Sequence, residues 1–191
     1  SGTPAAVNPW TSSNTGVATI TNAGVVTGVA AGTTTITYTN NTGCSNTATV
    51  TVNAQPTITG PTALCDGATI TLTGSGTPAA VNPWTSSNTG VATITNAGVV
   101  TGVAAGTTTI TYTNNNGCTR TATVTVNAQP TITGTLTVCA GSTTTLTGSG
   151  TPAAVNPWTS SNTGVATITN AGVVTGVAAG TTTITYTNNN G

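Results

Sequence analysis

Charge is nearly absent from this sequence. Only Asp66 and Arg120 are charged among its 191 residues, and there is no histidine, whereas about a quarter of the residues in an ordinary soluble domain are charged. Paired carboxylates, Ser-His-Asp or Cys-His nucleophile systems and lysine Schiff bases cannot be assembled from such a composition. We therefore expect a protein that is not an enzyme and that has no catalytic residues.

The lack of charge also limits the partners of the chain. Nucleic acid and anionic membrane surfaces require clustered basic residues, and calcium cages require clustered carboxylates. No apolar run approaches the roughly 18 residues of a membrane span, and no signal peptide opens the chain. The sequence predicts no nucleic-acid partner, no direct membrane insertion, no metal and no cofactor, and it is typical of an internal piece of a mature protein.

The sequence nevertheless contains enough apolar residues to fold. Hydrophobic residues make up 36% of the chain, 24 residues are glycine and 55 are threonine. The β-branched side chain of threonine favours extended backbone, and its hydroxyl group can face water. This composition is typical of a folded, strand-rich protein and not of a disordered one.

The chain repeats itself with a period of 74 residues. The 41-residue string SGTPAAVNPWTSSNTGVATITNAGVVTGVAAGTTTITYTNN begins at Ser1, Ser75 and Ser149 without a single difference. Both charged residues lie outside this string, at positions that differ between copies. A unit of this length is longer than a solenoid repeat and suits a small domain with its own core, so the repeat predicts beads on a string.

Proline marks the boundaries between these beads. The sequence Asn-Ala-Gln-Pro follows a strand-like run at residues 53–56 and again at 127–130, and proline resets the backbone there. We expect three domains: a partial one at 1–54 that lacks its early strands, a complete one at 55–128, and a partial one at 129–191 that lacks its last strand.

Alternation of apolar residues with threonine predicts half-buried strands over residues 69–73, 107–113 and 121–126. Turn sequences with glycine separate the strands at 96–98 and 114–117. Seven or eight short strands per domain predict an all-β fold of tandem β-sandwiches. The expected core of the complete domain consists of its apolar and aromatic strand residues: Ile58, Leu64, Ile70, Leu72, Trp84, Ala92, Ile94, Val100, Val103, Ile110, Tyr112, Val124 and Val126.

Two runs in each copy resemble a known family. They are WTSSNTGVATI at residues 84–94 and AGVVTGVAAGTTTIT at 97–111, and they are similar to the bacterial immunoglobulin-like group 2 domain. That family combines Trp and Ser-Ser, a Val-Ala-x-Ile strand, a Gly-x-Val turn and Ala-Gly-Thr-x-x-Ile. The resemblance implies tandem immunoglobulin-like sandwiches of extracellular stalks and adhesins, as in giant surface proteins of gliding, type IX-secreting bacteria, without catalytic residues.

The four cysteines, Cys44, Cys65, Cys118 and Cys139, are candidates for disulfides. Zinc would need closer Cys pairs or histidine, and the extracellular setting that the resemblance implies favours structural disulfides. One bridge within each domain would join Cys65 to Cys118. An immunoglobulin-like topology would place these two about 25 Å apart, and would bring Cys65 to the counterpart of Cys118 in the following domain instead. Both connectivities stay open at this point.

The aromatic residues are expected in the core. Trp10, Trp84 and Trp158 could stack on sugars if they were exposed, but a strand tryptophan in a sandwich is usually a core residue. Tyr112 and Ile110 share a strand face with the same alternation and are expected beside it.

The sequence predicts a structural stalk or filament segment of a large extracellular repeat protein, at the cell surface or in a secreted fibre. The alternative is that the domains themselves form the adhesive surface, binding glycans, cells or each other through avidity. Expected partners are neighbouring domains of the same chain. Because uncharged strand edges lack the lysines that prevent edge pairing, lateral association into fibres is also expected.

Overall fold

The computed structural model describes residues 3–5 and 7–190 of the chain. All regular secondary structure within these residues is β-strand, as the threonine-rich alternation predicts. None of them forms a helix long and apolar enough to cross a membrane. The predicted all-β class is confirmed.

The strands fall into three groups that follow the expected domains 1–54, 55–128 and 129–191. From here on we call these the first, second and third copies of the repeat. The strands of the first copy are β1 (Trp10–Ser12), β2 (Ala18–Ile20), β3 (Val26–Gly28), β4 (Gly32–Thr39) and β5 (Ser45–Val52). Those of the second copy are β6 (Ile58–Thr59), β7 (Ala63–Cys65), β8 (Thr69–Thr71), β9 (Thr73–Gly74), β10 (Trp84–Ser86), β11 (Ala92–Ile94), β12 (Val99–Gly102), β13 (Gly106–Thr113) and β14 (Thr119–Asn127). Those of the third copy are β15 (Ile132–Gly134), β16 (Thr143–Gly148), β17 (Trp158–Ser160), β18 (Ala166–Ile168), β19 (Val173–Gly176) and β20 (Ile184–Tyr186).

The chain also divides into two compact units that do not coincide with the copies. The first comprises the described residues up to Thr59 together with Thr73–Pro83 and Thr111–Thr121. The second comprises Gly60–Leu72, Trp84–Ile110 and the described residues from Ala122 onwards. The second copy of the repeat therefore contributes to both units.

The second copy contains the most complete set of sheets. One sheet has the order β10-β13-β14-β7, a second has β11-β12-β8, and β6 pairs with β9. The pairs β11–β12, β12–β8 and β6–β9 are antiparallel, whereas β7 and β14 run parallel. Nine strands form where the sequence predicts seven or eight, because the run 69–73 is interrupted at Leu72, whose N–H donates to the carbonyl of Gly98.

The core of the second copy consists of the inward positions of these strands. Buried there are Leu64, Leu72, Trp84, Ala92, Val100, Ile110, Tyr112, Val124 and Val126, as predicted. Ile58, Ile70 and Ile94 are only half-buried. Val103 is 47% exposed, so its assignment to the core is wrong. It lies one residue beyond the end of β12, where the inward and outward alternation of the strand no longer applies.

Identical sequence takes different structures in the three copies. The string GTTTITYT forms eight-residue strands in β4 and β13, which pair with β5 and β14. In the third copy no such neighbouring strand exists among the described residues, and only the three residues of β20 are in a strand. A hydrogen-bonding partner, and not propensity alone, decides how long this strand is.

Candidate functional site

The first and third copies each pack one tryptophan against one tyrosine on the neighbouring strand. Trp158 lies opposite Tyr186, with ring centroids 4.5 Å apart and planes tilted by 43°. Trp10 lies opposite Tyr38 at 4.7 Å and 47°. Tilted aromatic pairs at this separation are favourable beyond the area that they bury.

Burial of these aromatic pairs differs between copies. Trp84 and Trp158 are each 6% exposed, and Tyr112 is 1% exposed beside the fully buried Ile110. Trp10 is only half-buried. Among the described residues of the first copy, no strand corresponds to β8 and β9 of the second copy, whose chain covers the turn beneath Trp84. Trp84 and Trp158 are therefore buried, Trp10 is half-buried, and none of the three is an exposed stacking platform.

A threonine hydroxyl organises the Ser-Ser-Asn motif. The Oγ1 of Thr108, a residue only 4% exposed, lies 3.0 Å from Ser86 Oγ and 3.2 Å from Ser87 Oγ, and accepts a hydrogen bond from the N–H of Asn88 at 3.0 Å. Ser86 Oγ also donates to the carbonyl of Ala92 at 2.7 Å. The same cluster recurs around Thr34 and Thr182. The polar residues of the motif thus bind one another inside each copy.

An asparagine closes the turn that precedes the second cysteine of each repeat; we call residues 114–118 the asparagine turn. Asn114 Oδ1 accepts hydrogen bonds from the N–H groups of Asn116 (3.1 Å) and Cys118 (3.0 Å), and the N–H of Asn114 donates to the carbonyl of Cys118 at 3.0 Å. Gly117 has the positive φ that the sequence predicts, 76°. Asn114 is only 6% exposed, so its amide is a fixed part of the fold.

The asparagine turn recurs in the other copies. In the first copy Asn40 Oδ1 accepts from the N–H groups of Thr42 and Cys44 at 3.0 and 2.9 Å. In the third copy the N–H of Asn190 donates to Asn188 Oδ1 at 3.1 Å. Asn188 is also 6% exposed. The functional residues predicted from the sequence do not include the first residue of each turn. A signal exists in the sequence, because this asparagine recurs every 74 residues, three residues before a glycine.

The cysteines lie at two kinds of position. Cys65 is the last residue of β7 and pairs in register with Asn127, the last residue of β14. Cys118 directly precedes the first residue of β14. Cys65 and Cys118 are half-buried, whereas Cys44 and Cys139 are exposed. Cys44, Cys118 and Cys139 carry free thiols, so the bridge between Cys65 and Cys118 does not occur in this structure.

Among the residues that the structure describes, no group of three or more His, Cys, Asp or Glu side chains could hold a metal ion. No buried side-chain nitrogen or oxygen in that part of the chain lacks a hydrogen-bond partner. The polar groups that recur with the repeat are used to close turns and to join strands. The chemistry that this arrangement offers is that of thiols and of exposed threonine hydroxyls.

The three copies, each an all-β unit with one tryptophan, one tyrosine and a Ser-Ser-Asn cluster, define a tandem array of immunoglobulin-like sandwiches. The model of the bacterial Ig-like domain (group 2) matches residues 2–52, 53–126 and 126–191. The chain therefore belongs to this family, and the resemblance drawn from its motifs is confirmed. No curated protein matches the sequence.

Solved structures of bacterial surface proteins are similar to the chain. An intimin mutant of EHEC O157:H7 is 20% identical over 43% of this chain and 51% of its own, with a TM-score of 0.33. Invasin, described as a bacterial integrin-binding protein, is 18% identical over 97% of this chain and 52% of its own, with a TM-score of 0.41. Domains 4 and 5 of the S-layer protein SbsC are 27% identical over 67% and 74%, with a TM-score of 0.28. The chain spans about half the length of the intimin and invasin chains.

Proposed function

We propose that the chain is a segment of a stalk or filament in a large extracellular repeat protein, which projects or links other parts and does not catalyse a reaction. The observation that carries this proposal is that every repeated aromatic side chain is buried or half-buried. The chain has three tryptophans, three tyrosines and no phenylalanine, and none of the six is exposed. A sugar- or peptide-binding face normally presents such side chains to the ligand.

The exterior supports the same role. The outward positions of β8 and β13, such as Thr69, Thr71, Thr107 and Thr109, are exposed threonines. These side chains favour strand backbone without offering a charge to a partner. We propose the domain boundaries 1–54, 55–128 and 129–191, each domain being a spacer unit. In the domain 55–128 the longest strands, of eight and nine residues, rise about 27 to 31 Å.

The spacer role predicts that length, and not binding, grows with copy number. The full chain and a chain of twice its length are compared on glycan arrays and on bacterial and host cell surfaces, and by small-angle scattering. We expect no retention on the arrays or cells and a maximum dimension that increases in proportion to the number of copies. Saturable retention that rises steeply with copy number would reject the spacer role in favour of adhesion by avidity.

A second candidate function, lateral association of chains into a fibre, is favoured by the most exposed of the repeated apolar positions. Val7, Val81 and Val155 are 77%, 75% and 76% exposed and are separated by exactly one repeat each in sequence. Weak contacts at such positions would add along two aligned chains. Replacing all three by serine should lower self-association in sedimentation velocity, whereas serine at Val29, Val103 and Val177, a less exposed repeated position, should not. Equal behaviour of the two triple variants would exclude this surface.

A further inference from the structure

The two cysteines of the second copy are kept apart by β14. Cys65 pairs with Asn127 at the end of this strand, and Cys118 precedes Thr119 at its beginning. Eight residue steps of antiparallel-type strand span about 27 Å. A disulfide requires Cα atoms about 4.4 to 6.8 Å apart. The bridge within one copy is therefore excluded by the strand that lies between its ends.

The asparagine turn of the following copy reaches Cys65. The Sγ atom of Cys65 lies 3.9 Å from the carbonyl oxygen of Asn190, both within the second compact unit. In the second copy the side chain of Asn114 fixes the asparagine turn by accepting hydrogen bonds from the N–H groups of Asn116 and Cys118. Cys118 follows Asn116 by two residues. Asn188 and Asn190 begin the same turn. Where the repeat continues beyond Gly191, the next position, 192, is the counterpart of Cys118, two residues and at most about 7 Å along the chain from Asn190.

An independent arrangement in the first compact unit places the same two positions together. Cys118 and Asn53 line one hollow of about 670 Å³. Asn53 is the repeat counterpart of Asn127, the residue beside which Cys65 lies. The side-chain amide of Asn114, which closes the asparagine turn, lies 3.5 Å from the carbonyl oxygen of Ala54. The turn of one copy therefore sits against the end of the preceding copy at this junction also.

We propose that each copy is joined to the next by a disulfide between the cysteine at the end of β7 and the cysteine of the following asparagine turn. Cys65 bonds to the cysteine at position 192 wherever the repeat continues. Where the repeat extends in both directions, Cys139 bonds in the same register to a cysteine of the following copy, and Cys118 bonds to a cysteine of the preceding copy. This inference rests on the geometry of the two junctions and does not depend on the proposed function.

Formation of each bridge is a two-electron oxidation. The two thiols lose two protons and two electrons as the S–S bond forms. A disulfide oxidant accepts them through thiol–disulfide exchange and is released as two thiols. Outside the reducing cytosol such oxidants are available, and oxidised glutathione serves as the oxidant in the test.

The test uses the whole chain extended beyond Gly191 by nine residues copied from Cys44–Val52. This extension supplies the cysteine at position 192 and gives every cysteine-containing peptide a different mass. After oxidation with oxidised glutathione at high dilution, the monomer is alkylated, digested without reduction and analysed by mass spectrometry. We expect most of the Cys65 peptide to be cross-linked to the peptide of position 192, and the peptides of Cys44, Cys118 and Cys139 to be alkylated.

Two variants of the extended chain are the controls. Cys65→Ser should abolish the cross-link, whereas Cys139→Ser should leave its yield unchanged. A cross-link between Cys65 and Cys118, or complete alkylation of Cys65 in the folded extended chain, would overturn the proposal. If the extension prevents folding, the unextended chain is oxidised in the same way: absence of a link between Cys65 and Cys118 supports the proposal, and its presence refutes it.

Discussion

At the scale of the residue, the repeat offers pairs of identical positions in different surroundings. Gly24 and Gly98 occupy the same position of two copies, and both have φ of 82°. A Cβ atom on Gly24 would meet only the Trp10 ring, at 3.3 Å, whereas one on Gly98 would collide with the backbone carbonyl oxygen of Leu72. Backbone atoms cannot move aside as a side chain can, so the two positions tolerate a methyl group differently.

We predict that Gly24→Ala and Gly98→Ala destabilise their copies to different extents. The positive φ costs both variants about 1 to 2 kcal/mol, and the collision adds about 1 to 3 kcal/mol for Gly98→Ala alone. Urea unfolding of the full chain measures the loss. Hydrogen exchange of the peptide that carries the substitution, which its mass distinguishes from the other copies, assigns the loss to one copy. Equal losses would mean that β8 and Leu72 do not cover Gly98 as described.

At the scale of the element, the same 41-residue sequence occurs in three different structural environments. Val100 is fully buried in the second copy, where β12 pairs with β8. Its counterpart Val26 is 39% exposed in the first copy, where β2 is the partner of β3 among the described residues. Gly102 faces Val126 of β14, whereas its counterpart Gly176 lines an apolar hollow of about 540 Å³. Neighbouring strands therefore decide whether these apolar faces are covered.

We predict that supplying a strand to the third copy stabilises it. The extension copied from Cys44–Val52 carries the two valines that correspond to Val124 and Val126, and burial of each contributes about 1.5 to 3 kcal/mol. Thermal unfolding followed by tryptophan fluorescence should show a higher midpoint than the unextended chain. An extension with serine in place of both valines is the matched control; a gain as large with serine would show that the hollow is not what the strand fills.

Much of this element structure follows from sequence. Period-two alternation identifies β13 and β14 to within two residues at each end, and turn chemistry identifies Gly98 and Gly117. Alternation within one strand carries no information about its neighbours, so it could not foresee the short β20. The alternation also led to the wrong assignment of Val103 to the core, because alternation does not show where β12 ends.

The candidate site was less accessible to sequence reasoning. The cysteines and the Ser-Ser-Asn motif are visible as residues, but the acceptor that joins that motif, Thr108, lies 20 residues beyond Asn88 in the chain. Only the pairing of two strands brings them together. The parallel register of β7 with β14 likewise decides which cysteines can meet, and the sequence alone leaves both connectivities open.

At the scale of the whole molecule, bridges between successive copies would change how an array carries load. In the proposed register Cys118 is bridged to the preceding copy and Cys139 to the following copy. The backbone that connects these two bridges is the 21-residue segment from Cys118 to Cys139, which contains β14. The remainder of each copy lies within closed loops. Tension would pass through covalent bridges and already extended strand, and an unfolded copy could not lengthen the array.

We predict that a long array stretched in a force microscope shows no unfolding steps while oxidised. After reduction, steps corresponding to one 74-residue repeat should appear, each adding about 20 to 25 nm of contour length. An array in which every counterpart of Cys65 is serine should show these steps with or without reductant. Steps of full size in the oxidised parent array would contradict the bridged register.

The parallel pairing of β7 with β14 also determines how a single copy resists being pulled when no bridge is present. These two strands lie near the beginning and the end of the copy. Traction on the two termini therefore slides one strand along the other, so that the hydrogen bonds between them are sheared together and not opened one after another. Because the paired residues of this joint, 63–65 and 125–127, carry no charged side chains, its strength should be the same in fresh water and in brine.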